Sequence, residues 1–377
     1  NSVGMYVLLV MMLLTVADVL FHFLRTPFIK GGYELTEFMM LILVFFGLAY
    51  TAVKKRHIVV DVVVSRFPQH TQAVIDSITY FLSFGICSLI TWQSAVEAKT
   101  LWLTGQTSGS LYIPVHPFIW LVAVGCALLS LALLVNLLDS LAQAVRHNWR
   151  VWLGLVFGGM AALALATAPM WLAQLSLEMS PGVIGILAIF FLFLLLASRM
   201  PIGFVLALLG FLGFAYVRGL GPGLRILGMV PHSTVASFSM SIVPLFILMG
   251  QFAFHSGISR DLYETAHKWV GQLRGGLAMA TTVACGAFAA CTGSSVAGAV
   301  TMGRVALPEM QRYKYDNALA TGCIAAGGTI GSLIPPSIAF VVYGIMTNQS
   351  IGKLFIAGII PGILEVLFYM VTIYILC

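Results

Sequence analysis

The sequence predicts an all-α, polytopic membrane protein, and three observations carry that reading. Of 377 residues, 60% are hydrophobic and 8% charged, with a mean hydropathy of +1.01; a soluble chain this long needs a charged surface that this one cannot supply. The apolar residues come in runs of roughly 20, the length that crosses about 30 Å of hydrocarbon. Lys and Arg gather between alternate runs, as positive residues do on the cytoplasmic side of a membrane. The net charge of +6 therefore reads as a topology signal. No basic stripe interleaved with aromatic residues points to nucleic acid.

Spans are expected at 3–23, 33–53, 72–98 and 114–142, then at 151–175, in a tight pair at 182–198 and 201–217, and at 241–256. Asp18 lies toward the outer end of the first span and reads as a subunit or lipid-interface contact. Glu34 and Glu37 open the second, where negative charge complements the helix dipole; a structural role is favoured over a proton relay. Lys54, Lys55, Arg56 and Arg66 follow that span, Arg146 and Arg150 the fourth. Arg260, Lys268 and Arg274 precede an apolar region at 276–303, and Arg304, Arg312 and Lys314 follow it. One alternation places all these loops inside, with the N-terminus cytoplasmic; Arg25, Lys30, Arg218 and Arg225 then fall outside, against the rule. Asn1 leads directly into an apolar helix and Cys377 lies within an apolar run, so the natural protein is expected to extend at both ends.

Composition changes near residue 150. Residues 1–142 read as one four-helix part, 143–181 as a connector with an extra helix carrying the packing pair Gly154 and Gly158, and 182–377 as a second part. Within the second part, 258–275 reads as an amphipathic helix lying at the membrane surface, with Tyr263, Trp269 and Val270 on its apolar side.

Two stretches break the helical pattern at membrane depth. Residues 276–303 are too short to cross twice, yet basic segments flank both ends, so a re-entrant hairpin is expected with its tip at Thr292-Gly293-Ser294-Ser295. Irregular backbone at that depth must be buried in protein or line an aqueous cavity. Exposed carbonyls and hydroxyls there are hard oxygen ligands suited to Na⁺, and the helix start after the tip favours an anion. The second stretch lies in the span 317–346, at Gly327-Gly328-Thr329-Ile330-Gly331-Ser332-Leu333-Ile334-Pro335-Pro336-Ser337. Proline breaks the helix and the glycines let unwound backbone approach an ion. Secondary transporters build midplane sites from such discontinuous helices. A last span runs over 354–377.

The chain resembles the TRAP (tripartite ATP-independent periplasmic) transporters, with the small and large membrane subunits fused. Residues 182–377 resemble the first half of the large subunit through Arg199-Met200-Pro201-Ile202-Gly203, Ser237-Phe238, Ile242-Val243-Pro244-Leu245-Phe246-Ile247-Leu248-Met249-Gly250, the hairpin, and Ile334-Pro335-Pro336-Ser337. Residues 1–142 resemble the small subunit through Glu34, Glu37 and Arg56-His57-Ile58-Val59-Val60-Asp61. The resemblance implies a scaffold bundle (1–142 and 182–257), the surface arm 258–275, and an elevator-type transport domain holding the hairpin and broken helix. Only the first of two inverted repeats is present. It further implies Na⁺ as coupling ion, with no other cofactor, and an organic acid delivered by a periplasmic substrate-binding protein to a multi-pass protein of the bacterial inner membrane. Na⁺ ligation is carried to Thr292, Gly293, Ser294, Ser295, Gly328, Thr329, Gly331 and Ser332, and substrate contact to Ser237, Pro335, Pro336 and Ser337.

Other polar residues read more plainly. His57 and Asp61 suit interfacial hydrogen bonding or packing, because a metal site needs more ligands. Glu365 suits snorkelling or packing against the second repeat. Cys291 beside Thr292 has no His to activate it, and the six cysteines lack metal or disulfide spacing. A membrane-embedded enzyme would need acids or histidines near the midplane, which the second half almost lacks. An anion transporter or exchanger independent of a binding protein remains the alternative.

Overall fold

The computed structural model describes residues 2–24, 31–147 and 181–377. The expected span at 151–175, Gly154 and Gly158, Arg25, Lys30 and most of the 143–181 connector lie outside the described residues. All regular structure among the described residues is helical, and six helices are long and apolar enough to cross a membrane. The chain forms two compact units, Asn1–Ser237 and Phe238–Cys377.

The first unit contains α1 (Ser2–Phe23), α2 (Gly32–Val53), α3 (Gln69–Thr104), α4 (His116–His147), α5 (Pro181–Ala197), α6 (Ile202–Arg218) and α7 (Leu220–Val235). Hydroxyls on these apolar helices return to their own backbone. Thr36, Ser77 and Ser83 donate to the carbonyls of Gly32, Ala73 and Thr79 at 2.9, 2.7 and 2.7 Å, so these three buried donors are met. α2 and α4 touch at backbone distance. A Cβ on Gly125 would lie 2.7 Å from Phe45 Cβ, and Phe38 stacks on Phe118 with ring centroids 3.8 Å apart. Glu34 turns to the loop after α3, where its two oxygens accept the backbone N–H groups of Ser110 and Leu111 at 2.6 and 3.0 Å.

Two elements differ from the sequence expectation. α3 begins at Gln69 and runs to Thr104, where Gly105 ends it in the left-handed conformation, so the helix outlasts its apolar stretch at both ends. α7 forms in a segment outside every expected span, although it carries Gly221, Pro222, Gly223, Gly228 and Pro231. Pro222 sits in the first turn, where its missing N–H costs nothing. The glycines serve packing: a Cβ on Gly223 would press on Ala215 at 3.0 Å, and one on Gly228 would lie 2.9 Å from the Gln93 carbonyl of α3.

The two segments marked by family-like motifs in this unit meet. Arg199, in the left-handed region at φ 68°, pairs with Asp61 (Nε to Oδ1, 3.1 Å) and Asp76 (Nη1 to Oδ2, 3.5 Å). Ile202 donates its backbone N–H to the Ile58 carbonyl at 3.2 Å, and His57 packs edge-on to Phe204. Beneath them Leu82 and Ile86 of α3 pack with Met200, Val205, Leu208 and Phe211. His57 and Asp61 thus serve as joint residues.

The second unit contains α8 (Ile242–His255), α9 (Ile258–Val270), α10 (Gly276–Thr292), α11 (Ser295–Arg312), α12 (Asn317–Thr329), α13 (Ile338–Thr347) and α14 (Ile351–Leu376). α9 buries Tyr263 and Ala266 and exposes Trp269. α10 and α11 fold back on each other, which brings Thr281 near the start of one limb within 3.8 Å of Met310 near the end of the other. The returning limb runs to Arg312, past the expected boundary at 303. Phe288, Met302, Met310 and Ile330 are fully buried where α10, α11 and α12 converge.

Arg199→Ala leaves two carboxylates that shared one cation. All three side chains are 26–45% exposed, so solvent screens the loss and the expected destabilisation is about 1–3 kcal/mol. Thermal unfolding in detergent should show a midpoint several degrees lower, with Arg199→Lys falling between. An unchanged midpoint would remove the joint as a stabilising feature.

Candidate functional site at the hairpin tip and the broken helix

The hairpin turns in two residues. Gly293 adopts the left-handed conformation at φ 60° and its N–H bonds the Ala289 carbonyl at 2.9 Å, which closes α10. Ser294 is extended and its hydroxyl accepts the Ala297 N–H at 3.3 Å, which caps α11. The broken helix uses more chain. α12 tightens into a 3-10 turn at Ile330–Ser332, Pro335 and Pro336 interrupt it, and Ser337 caps α13 by accepting the Phe340 N–H at 3.4 Å.

The two breaks dock on each other. Ile338, the first residue of α13, donates its N–H to the Gly293 carbonyl at 3.2 Å. A Cβ on Gly293 would collide with the Pro336 carbonyl oxygen. Gly331 lies against the Ser294–Ser295 peptide, with an added Cβ 3.1 Å from Ser295 N, and Gly328 lies 3.0 Å by the same measure from the Ser295 carbonyl. Four helix ends therefore converge: the carbonyl ends of α10 and α12, and the N–H ends of α11 and α13. Carbonyl ends attract a cation and N–H ends an anion.

The side chains sort into distinct roles. The tip residues Thr292, Gly293, Ser294 and Ser295 are brought together with Gly328 and Gly331. The Thr292 hydroxyl returns to the Phe288 carbonyl at 3.3 Å, while the Ser295 hydroxyl makes no bond with any described residue. The Ser332 hydroxyl donates to the Thr329 carbonyl and the Ser337 hydroxyl to the Ser332 carbonyl, both at 2.6 Å, so these two hold the unwound stretch in shape. Pro335 and Pro336 contribute the break, and Pro336 its carbonyl against Gly293. Ser237 is the last residue of the first unit, and its buried hydroxyl has no partner.

Thr329 turns its side chain away from the tip. Its hydroxyl lies 2.9 Å from Glu365 Oε1 and 3.1 Å from the Tyr369 hydroxyl, and Tyr369 donates to Glu365 Oε1 at 3.0 Å. The Glu365 carboxyl is thereby held within α14 by the edge of the break, an arrangement the sequence reading missed. The available signal was the i,i+4 spacing of Glu365 and Tyr369 on one helix face. α14 approaches the break through two glycines one turn apart: a Cβ on Gly362 would lie 2.6 Å from Ile334 Cγ1, and Gly358 faces the Leu333 carbonyl.

A profile of the DctM component of the tripartite ATP-independent periplasmic transporters matches residues 188–377, and one of the DctQ component matches residues 11–143. The chain belongs to the TRAP transporter permeases. Both membrane components occur on one polypeptide. The isethionate TRAP transporter permease protein DctMQ of Oleidesulfovibrio alaskensis is 30% identical over 342 residues, which are 90% of this permease and 51% of that protein. The C4-dicarboxylate TRAP transporter large permease protein DctM of Pseudomonas aeruginosa is 44% identical over 151 residues, 40% of this chain and 35% of that one. The sialic acid TRAP transporter large permease protein SiaM of Vibrio cholerae is 34% identical over 183 residues, 48% and 42% of the two chains. The chain thus spans about half the length of the fused relative and smaller shares of the others. The family consists of multi-pass membrane transporters, not enzymes.

Two glycine substitutions in the hairpin should separate. Gly293→Ala combines a strained backbone, costing about 1 kcal/mol, with a collision against the docked break, and should lower the unfolding midpoint. Gly298→Ala, inside α11 with nothing within 4 Å of the added Cβ, should leave it unchanged or raise stability by about 0.5–1 kcal/mol. Equal behaviour of the two variants would mean that the tip does not depend on its docking.

Proposed function

We propose that this permease performs sodium-coupled secondary active uptake of an organic acid delivered by a periplasmic substrate-binding protein, with alternating access of the elevator type. The observation that carries this reading is the docking of the hairpin tip on the broken helix, which assembles backbone oxygens at a point where two α-helices are interrupted. Na⁺ binds among the oxygens of Thr292, Gly293, Ser294 and Ser295 and of the Gly328–Ser332 stretch, with Thr329 contributing through its backbone because its side chain is engaged by Glu365. The acid takes the N–H side of the same junction, near Pro335, Pro336 and Ser337. Ser237 remains a candidate on the substrate side.

Support for the substrate class comes from the relatives, whose names specify isethionate, C4-dicarboxylates and sialic acid; all are anions at neutral pH. In this reading residues 1–142 and the helices after the 143–181 connector form the fixed scaffold, and the hairpin and broken helix form the moving part. The N-terminus is cytoplasmic in the inner membrane, because that orientation places the loops carrying Lys54, Lys55 and Arg56 and carrying Arg304, Arg312 and Lys314 inside. Each net positive charge moved inward gains about 2.3 kcal/mol per 100 mV, so two Na⁺ accompanying a monoanion supply a usable driving force.

Uptake of labelled succinate and isethionate into liposomes carrying the full-length permease tests the proposal. Accumulation should require both an inward Na⁺ gradient and the cognate binding protein. Ser295→Ala should raise the Na⁺ concentration for half-maximal uptake roughly tenfold, the effect of losing about 1.4 kcal/mol from one ligand. Ser294→Ala should act similarly while also loosening the α11 cap. Uptake indifferent to Na⁺ would sink the coupling, and uptake without the binding protein would favour the binding-protein-independent alternative.

A further inference from the structure

A cavity of about 460 Å³ lies within the second unit, between α8 and the two limbs of the hairpin. Thr292 and Ser294 at the tip form one end of its lining and Arg304 the other. Arg304 follows Ser295 by nine residues on α11, which places it about 13 Å from the tip along the helix axis. In the orientation proposed above, that direction leads to the cytoplasm.

The polar side chains that line this cavity below the tip are Gln251, Thr301 and Arg304. None of the three bonds to any described residue. For Thr301 this is unusual. The other buried threonines of the hairpin, Thr281, Thr282 and Thr292, return their hydroxyls to carbonyls four residues back at 2.8, 3.2 and 3.3 Å, whereas Thr301, only 6% exposed, does not. Arg304 contrasts equally with Arg199, whose charge two carboxylates neutralise, because no acidic residue lines the cavity. A largely buried threonine whose hydroxyl has no partner, an amide and an uncompensated guanidinium thus line one groove. Polar groups that converge on one groove beside a junction of helix ends, with no acid among them, suit the oxygens of an anionic ligand.

We propose that this cavity is a carboxylate subsite on the cytoplasmic side of the tip, occupied by the acid as it leaves the junction. Arg304 grips the carboxylate through its paired N–H groups, and Gln251 and Thr301 donate to the remaining oxygens. Because Arg304 is exposed, solvent screens the grip and the subsite holds the anion weakly, which suits release. The proposal rests on the transport reading above and names where its substrate goes next.

Thiol modification tests it without any transport assay. In the full-length permease with its native cysteines replaced by alanine, Thr301→Cys is exposed to methanethiosulfonate reagents in inverted membrane vesicles. The anionic ethylsulfonate reagent should react roughly tenfold faster than the cationic trimethylammonium reagent, the difference a nearby uncompensated cation makes for opposite unit charges. Adding Arg304→Gln should abolish that preference, and Arg304→Lys should retain it, which separates charge from folding. Succinate should slow the modification in a concentration-dependent way, and the slowing should weaken when Gln251→Ala is added. Equal rates for the two reagents, a preference that survives Arg304→Gln, or reaction only from the periplasmic face would overturn the subsite. Loss of Na⁺ dependence in the uptake assay with these rates intact would overturn the coupling alone.

Discussion

Every backbone N–H and C=O at membrane depth must find a partner inside the protein, and that requirement governs the second unit. A hairpin that turns back at its tip and a helix that unwinds both leave such groups exposed. They meet this demand by docking on each other: the N–H that begins α13 is answered by the carbonyl of Gly293, and the hydroxyls of Ser294, Ser332 and Ser337 answer others nearby. The breaks are therefore a single structure. Neither would be tolerated alone, and together they leave a small set of oxygens with spare lone pairs.

Close approach is the second requirement, and side-chain removal meets it. Gly293, Gly328 and Gly331 bring the tip and the unwound stretch to backbone contact, Gly358 and Gly362 bring α14 to the break, and Gly125 brings α4 to α2. Lipid offers apolar contacts as good as those of protein, so helix association in a membrane depends on such packing rather than on hydrophobic burial. The ionic joint at Arg199 is partly exposed, where water tolerates charge.

Much of this was readable from the residues. Spans of about 20 apolar residues dictate helices regardless of context, and Thr292-Gly293-Ser294-Ser295 and Pro335-Pro336 mark breaks because Gly and Pro change what the backbone can do locally. What escaped the reading depends on distant partners. The helix α7 forms despite Gly228 and Pro231 because α3 receives its glycine face. Arg199 and Asp61 meet across 138 positions, and Thr329 turns to Glu365 across 36, pairings that no local pattern encodes. The motifs around Asp61 and Arg199 each stood out as family-like, yet nothing in either announced that they touch.

The length of α3 has its own consequence. Thirty-six residues extend about 54 Å, against about 30 Å of hydrocarbon. Ordinary tilting absorbs only part of that excess, so the helix is longer than a single crossing requires. At its end the loop through Ser110 and Leu111 is clamped by the Glu34 carboxylate. The end of this long helix thus leads into a loop whose shape is set in advance by a carboxylate from another helix.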